Sequence, residues 1–203
     1  MIKAVIFDVG GVLIRTTDPQ PRQALEERLG LPPGGAELLV FNSEMGRAAQ
    51  MGQIGSSAHW QWVADQLKLD GAALRQFQDE FFGGDRLDHE LIAFIRKLRP
   101  ACRTAIISNY MDELTRLLNE VHRIADAFDL IVISSSEKIM KPDPIIFERT
   151  LDRLGLPAHE TIFIDDFLHN VEGARAVGMH AIHYTPGIDL PAELKRWGVR
   201  LED

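Results

Sequence analysis

KAVIFDVGGVLI, residues 3–14, decides the fold. Ala4 to Phe7 is a short apolar run with β-branched and aromatic members, which predicts a buried strand over residues 3–9. Asp8 ends that strand and Gly10-Gly11 follow. A carboxylate is thereby offered at a strand's carboxyl end, beside backbone free to bend around a ligand. Asp8 there suits a nucleophile or a metal ligand, and equally an Asp that caps the turn. The same Asp and glycines interrupt the apolar run from Ile2 to Ile14, and no small-residue cleavage site follows, so the run is read as a strand and not a signal peptide.

Further along, RTAIISN (103–109), LIVISS (130–135) and TIFIDD (161–166) have the same character, with HAIHY (180–184) a weaker fifth. Between them lie stretches of helical period at 88–98, 111–121, 144–154 and 167–177. Strands alternating with helices of this length predict an α/β fold, a doubly wound, mostly parallel sheet covered on both faces. Residues 16–83 break the alternation. They contain no convincing strand but carry helical patterns at 20–29, 35–50, 56–67 and 71–82, separated by Pro32-Pro33-Gly34-Gly35, Gly55 and Asp70-Gly71. This predicts a Rossmann-like core of 1–15 and 84–203, with a helical cap, 16–83, inserted after the first strand and leaving through Phe82-Gly83-Gly84-Asp85. Such an insertion could sit over the carboxyl ends of the strands, where open α/β sheets bind ligands.

Composition narrows the class. Two hundred and three residues hold one ordinary domain with a modest insertion. A single cysteine, Cys102, cannot form an internal disulfide, which points to a reducing compartment. No run of about 18 uninterrupted apolar residues occurs, so no membrane span is expected and a cytoplasmic location is. With 22 Lys plus Arg against 30 Asp plus Glu, the charge of −8 opposes a nucleic-acid partner. An anionic small substrate would need a local cation.

Three further places offer chemistry. Asp165-Asp166 closes the strand TIFID; adjacent carboxylates repel and are costly at a buried strand end unless a cation compensates. Magnesium, a hard ion that takes oxygen ligands, would serve; capping of the helix that follows would use one Asp well and two less well. Ser108-Asn109 ends the second core strand, where a hydroxyl and backbone N–H groups could hold a phosphate or simply cap a helix. Lys141, in KIMKPDPIIF, is a Pro-framed lysine just beyond a strand. It could neutralise a transferring phosphoryl group or be an ordinary surface lysine.

Taken in order, Asp8 after strand one, Ser108-Asn109 after the next core strand, Lys141-Pro142-Asp143-Pro144 before a helix and Asp165-Asp166 at a later strand end resemble the haloacid dehalogenase superfamily. The likeness covers nearly the whole chain, including the inserted cap and the continuation NVEGARAVGM. It implies that Asp8 is the nucleophile, that Ser108 and Lys141 hold phosphate, and that Asp166, supported by Asp165, forms the magnesium site with Asp8. One position departs from the pattern. Most phosphatases of the family place a second Asp two residues after the nucleophile as general acid and base, and Gly10 stands there. Its backbone carbonyl can still ligate magnesium, but the side-chain proton donor, a group that contributes roughly 10²- to 10⁴-fold, is missing.

The resemblance leads to a magnesium-dependent hydrolase of small phosphorylated metabolites, sugar phosphates among them, acting through an aspartyl-phosphate on Asp8. Two alternatives stand beside it. A 2-haloacid dehalogenase also lacks Asp at the Gly10 position and needs no metal, although the acidic pair would repel its carboxylate substrate. A non-catalytic phosphate-sensing protein of the same fold is the other. Other chemistry is weakly represented. There is no Gly-x-x-x-x-Gly-Lys-Ser/Thr loop, the seven histidines show no zinc spacing with Cys102, and Trp60 and Trp62 sit in a helical pattern that suggests packing over a sugar-stacking platform.

Overall fold

The structure is a computed structural model and describes residues 1–199. Its strands are β1 (Ala4–Phe7), β2 (Ile14–Thr16), β3 (Asp85–Leu87), β4 (Arg103–Ser108), β5 (Leu130–Ile133), β6 (Thr161–Asp165) and β7 (His180–His183). Five of them form one parallel sheet in the order β5-β4-β1-β6-β7, a doubly wound topology.

Alternation within each central strand explains why the apolar runs are continuous. Val5 and Phe7 of β1, Ile106 of β4 and Ile162 and Ile164 of β6 face one apolar cluster, covered by the helices His89–Leu98 and Leu190–Arg196. Ala4 and Ile6, Ala105 and Ile107, and Phe163 face the other, covered by Pro144–Leu154 and Leu168–Ala176. A strand buried on both faces has no polar side to show, which is why residues 4–7 read as uniformly hydrophobic.

The segment between β2 and β3 is helical, with Gln20–Leu29, Glu44–Gln50, Ser56–Leu67 and Gly71–Phe81 as its main helices. It has its own apolar cluster, built on Leu25, Val40, Trp60, Val63, Phe77 and Phe81, with Trp62 half-buried against it. Met111 of the sheet layer is also buried in that cluster. Ser134 makes a second tie, donating from Oγ to the Gln50 carbonyl at 2.6 Å and accepting the Tyr110 N–H at 3.0 Å.

Local structure differs from the sequence pattern in four places. β2 and β3 pair as an antiparallel ribbon, Ile14 opposite Leu87 and Thr16 opposite Asp85, at the junction between layer and insertion; three residues a side are too few to show an alternation. The pattern over 35–50 is two pieces. Ser43 is extended, and its hydroxyl accepts the Gly46 N–H at 2.9 Å, ending a π-helical turn (Leu38–Asn42) and capping a new helix. Over 111–121 the helix begins only at Leu114, because Met111 is committed to the other cluster, and it continues as a π-helical turn, Leu117–Val121. The strand read over 130–135 stops at Ile133, and Ser134–Glu137 is a helical turn. No helix among the described residues is long and apolar enough to cross a membrane.

Candidate active site

The order of the sheet reverses between β1 and β6, and there the first two carboxylates meet. Phe7 is level with Ile164, and the Asp8 N–H donates to the Ile164 carbonyl at 2.9 Å, so Asp8 and Asp165 project side by side at the switch point where such sheets bind ligands. Lys141 arrives from the loop after Ser134–Glu137 and is buried between them. Its Nζ lies 2.9 Å from Asp8 Oδ1 and 2.6 Å from Asp165 Oδ2. Burial alone would lower the Lys141 pKa, but the two carboxylates outweigh it and hold the ammonium charged.

Asp165 is saturated. Besides Lys141 it accepts the Phe167 N–H at 2.8 Å and the Asn170 side-chain amide at 3.1 Å. Asp166 is the contrast: it is half-buried, and its Oδ1 is sealed from water without a hydrogen-bond partner. Burial, reinforced by the Asp165 charge, pushes the Asp166 carboxyl up to about 6. Burial also raises Asp8 to about 7, with Asp165 adding to the rise while Lys141 and the Val9 N–H oppose it. Three carboxylates against one lysine leave the cluster short of positive charge.

Each of the three acids offers an oxygen within 4.8 Å of the others, an arrangement that suits a hard cation. The unpartnered Asp166 Oδ1 and the two raised pKa values are what such a cation would relieve. Gly11 makes room for this geometry. Its φ is +71°, and a Cβ there would stand 2.1 Å from Asp166 Oδ2, so only glycine fits. Gly10 is different, since a Cβ at that position would meet nothing within 4 Å.

Ser108 is buried at the end of β4 and lines the same cavity as Asp8, Gly10, Lys141 and Asp166. Asn109 lines it too, but its side chain is engaged elsewhere. Nδ2 donates to the Lys141 carbonyl at 2.9 Å, and Oδ1 accepts the Lys141 N–H at 2.8 Å. This amide therefore clamps the backbone that carries Lys141, and only its main chain is left to meet a phosphate.

Two residues to which the sequence reading gives no individual role also shape the site. Asn170 orients Asp165 from the first turn of the helix Leu168–Ala176. Gly173, one turn on, lets that helix press against Pro142, whose carbonyl would be 2.8 Å from a Cβ. Their only trace in the sequence is the stretch NVEG right after Asp165-Asp166; an Asn in the first turn of a helix otherwise reads as an ordinary capping residue.

A family model for haloacid dehalogenase-like hydrolases matches residues 2–178. The chain belongs to this family. Among curated relatives, a sesquiterpene phosphatase of Aspergillus oryzae is 30% identical over 195 residues, covering 96% of this chain and 95% of that protein. A phosphoglycolate phosphatase of Yersinia pseudotuberculosis is 26% identical over 195 residues, covering 92% and 82%. Among solved structures, a haloacid dehalogenase family enzyme of Bacteroides thetaiotaomicron, crystallised with magnesium and inorganic phosphate, superposes with a TM-score of 0.79 at 20% identity, over 95% of this chain and 99% of its own. The chain is thus an enzyme of the haloacid dehalogenase-like hydrolases, and its parallel sheet is the fold of that family.

Proposed function

We propose that this haloacid dehalogenase-like hydrolase is a magnesium-dependent phosphatase of small phosphate monoesters, working through an aspartyl-phosphate on Asp8. The observation that carries the proposal is the asymmetry of the acid cluster: Asp165 is saturated, while Asp166 keeps a buried oxygen without a partner beside Asp8. A metal-free dehalogenase has no use for that oxygen. The names of the two relatives support the phosphatase reading without fixing the leaving group.

Asp8, Asp166 and the Gly10 carbonyl would hold the ion, with Asp165 in support. When bound, magnesium offsets charge on the phosphoryl oxygens. The rest is the work of the chain. Both donors to Asp8, the Val9 N–H at 2.7 Å and Lys141 Nζ at 2.9 Å, fall on Oδ1, which leaves Oδ2 to attack phosphorus. Lys141 also faces the charge that spreads over the equatorial oxygens, and the Ser108 hydroxyl holds one of them. As the new Asp8–phosphorus bond forms, the ester P–O bond breaks and the alkoxide takes a proton from water, because Gly10 supplies none. A second water then attacks phosphorus, releasing inorganic phosphate and regenerating Asp8.

Release of phosphate from a panel that includes acetyl phosphate and an aryl phosphate, with and without chelator, tests this. Turnover should need magnesium, and beryllium fluoride should form its adduct on wild-type protein and not on Asp8→Asn. Halide release from a 2-haloacid in chelator would establish the dehalogenase instead, and absence of turnover on every ester would leave a phosphate-sensing role.

A further inference from the structure

The cavity that contains Asp8, Lys141 and Asp166 extends far beyond a phosphate. Its volume is about 1900 Å³, whereas pockets that enclose drug-sized ligands run roughly 300–1,000 Å³. Beside and beyond the acids it is bounded on the helical side by Phe41, Trp60 and Phe82 and on the sheet side by Leu117, Val121 and Phe167. Phe167 follows Asp166 directly and is 52% exposed, and Val121 is 55% exposed. These side chains, with Leu117, leave apolar surface within reach of a molecule bound in the cavity.

Two of the four arginines that reach the cavity are engaged with the protein itself. Arg15 donates to the Tyr184 hydroxyl at 2.9 Å and pairs with Asp88. Arg22 donates to the Phe81 carbonyl at 3.2 Å and lies 3.5 Å from both Glu37 and Asp85. Arg47 and Arg116 stand exposed at the rim. Burial raises both the Glu113 carboxyl and the Tyr110 phenol in this wall, as a poorly hydrated surrounding should. Polar groups such as Gln50, Gln78 and Glu113 also line the cavity, and a sugar would need them to converge on its hydroxyls, whereas a hydrocarbon needs only the apolar side chains between them.

Resting on the phosphatase reading above, we infer that the leaving group is a bulky hydrocarbon alcohol, seated between the Phe41–Trp60–Phe82 wall and the Leu117–Val121–Phe167 wall with its phosphate on Asp8. The energetic source is apolar area removed from water, so specificity rises with chain length.

Ethyl, hexyl and decyl phosphate, kept below micellar concentrations, have leaving groups of nearly equal basicity and so isolate the contribution of the wall. With magnesium, kcat/KM should rise at least ~10-fold from ethyl to hexyl, against an upper limit near fourfold per buried methylene. Decyl phosphate should also outrun glucose 6-phosphate. Val121→Asp, at an exposed position that folding tolerates, should reduce the decyl-to-ethyl ratio several-fold. A ratio that is flat or falls with chain length, or a preference for glucose 6-phosphate, overturns the inference while leaving the phosphatase intact. If none of these phosphates, acetyl phosphate included, is hydrolysed, the phosphatase reading fails by itself. Binding of decylphosphonate against ethylphosphonate, followed by calorimetry, then still decides the pocket: at least ~10-fold tighter binding of the longer chain supports it, and equal affinity overturns it.

Discussion

Asp8→Asn should abolish turnover and, in chelator, raise the melting temperature. Burial lifts the Asp8 pKa from 3.8 to about 7 in the folded chain. A carboxyl whose folded pKa exceeds its unfolded one opposes folding: the penalty is absent below about pH 3.8, grows through the window up to about pH 7, and is constant above it. The full width of that window would amount to ~4 kcal/mol at about 1.36 kcal/mol per unit. Relaxation and the linkage to Lys141 reduce it, and a working figure is about 1–3 kcal/mol. Asn keeps the shape and removes the charge, leaving Lys141 with Asp165. In a chain of this size ~1 kcal/mol moves the midpoint by about 2–4 °C, so the gain at pH 7 in chelator should be about 2–12 °C. Differential scanning calorimetry at pH 7 and pH 5 provides the check, because the gain must shrink at the lower pH. Saturating magnesium should narrow or invert the order, since an ion at 100 times its Kd stabilises wild type by ~2.7 kcal/mol and Asn is a poorer ligand. An unchanged or lower midpoint for Asp8→Asn at pH 7 in chelator would refute the reasoning, for it would mean that Lys141 and the Val9 N–H more than offset desolvation.

Magnesium must displace protons from Asp8 and Asp166, whose pKa values in the metal-free protein are raised to about 7 and about 6, so its affinity by calorimetry should fall as pH drops through that range. Gly10→Asp should fold, because its Cβ meets nothing within 4 Å, and its rate gain should be largest for esters with poor leaving groups; Gly11→Ala, forced against Asp166, should lose magnesium binding. A wild-type rate that is flat across leaving-group pKa would show that proton donation is not limiting, and burst kinetics with an aryl phosphate would reveal whether aspartyl-phosphate hydrolysis limits instead. Asn109→Ala frees the Lys141 backbone and should lower kcat at least ~10-fold, with the pH profile of kcat displaced, although its side chain touches no substrate in the proposed mechanism.

What could be read from sequence is what depends on local composition. Each core strand was visible because burial on both faces makes residues such as Ala4 to Phe7 uniformly apolar, and the acids stood out because Asp8, Asp165 and Asp166 interrupt or end those runs. Division of labour within the acid pair was not visible: Asp165 and Asp166 are chemically identical, and only the placement of Lys141, Asn170 and the Phe167 N–H separates a saturated carboxylate from one with a free oxygen. Asn109 follows Ser108 and so reads locally as a phosphate contact, while its partner is 32 residues away, a distance that no local pattern spans. The ribbon β2–β3 and the break at Ser43 were hidden by brevity, each being decided by a few backbone hydrogen bonds or one hydroxyl.

Met111 sits three residues after Ser108, yet its side chain is buried among Val40, Trp60 and Phe81 of the helical insertion. The two layers are therefore not modular. A helical segment transplanted from a relative onto this sheet would arrive without a socket for Met111, leaving an apolar side chain of the loop after Ser108 in water at a cost of ~1.5–3 kcal/mol. Swapping specificity by exchanging residues 16–83 alone would disturb the loop that carries Ser108 along with the pocket. A chimera that keeps both intact has to carry Tyr110 and Met111 across with the helices they serve.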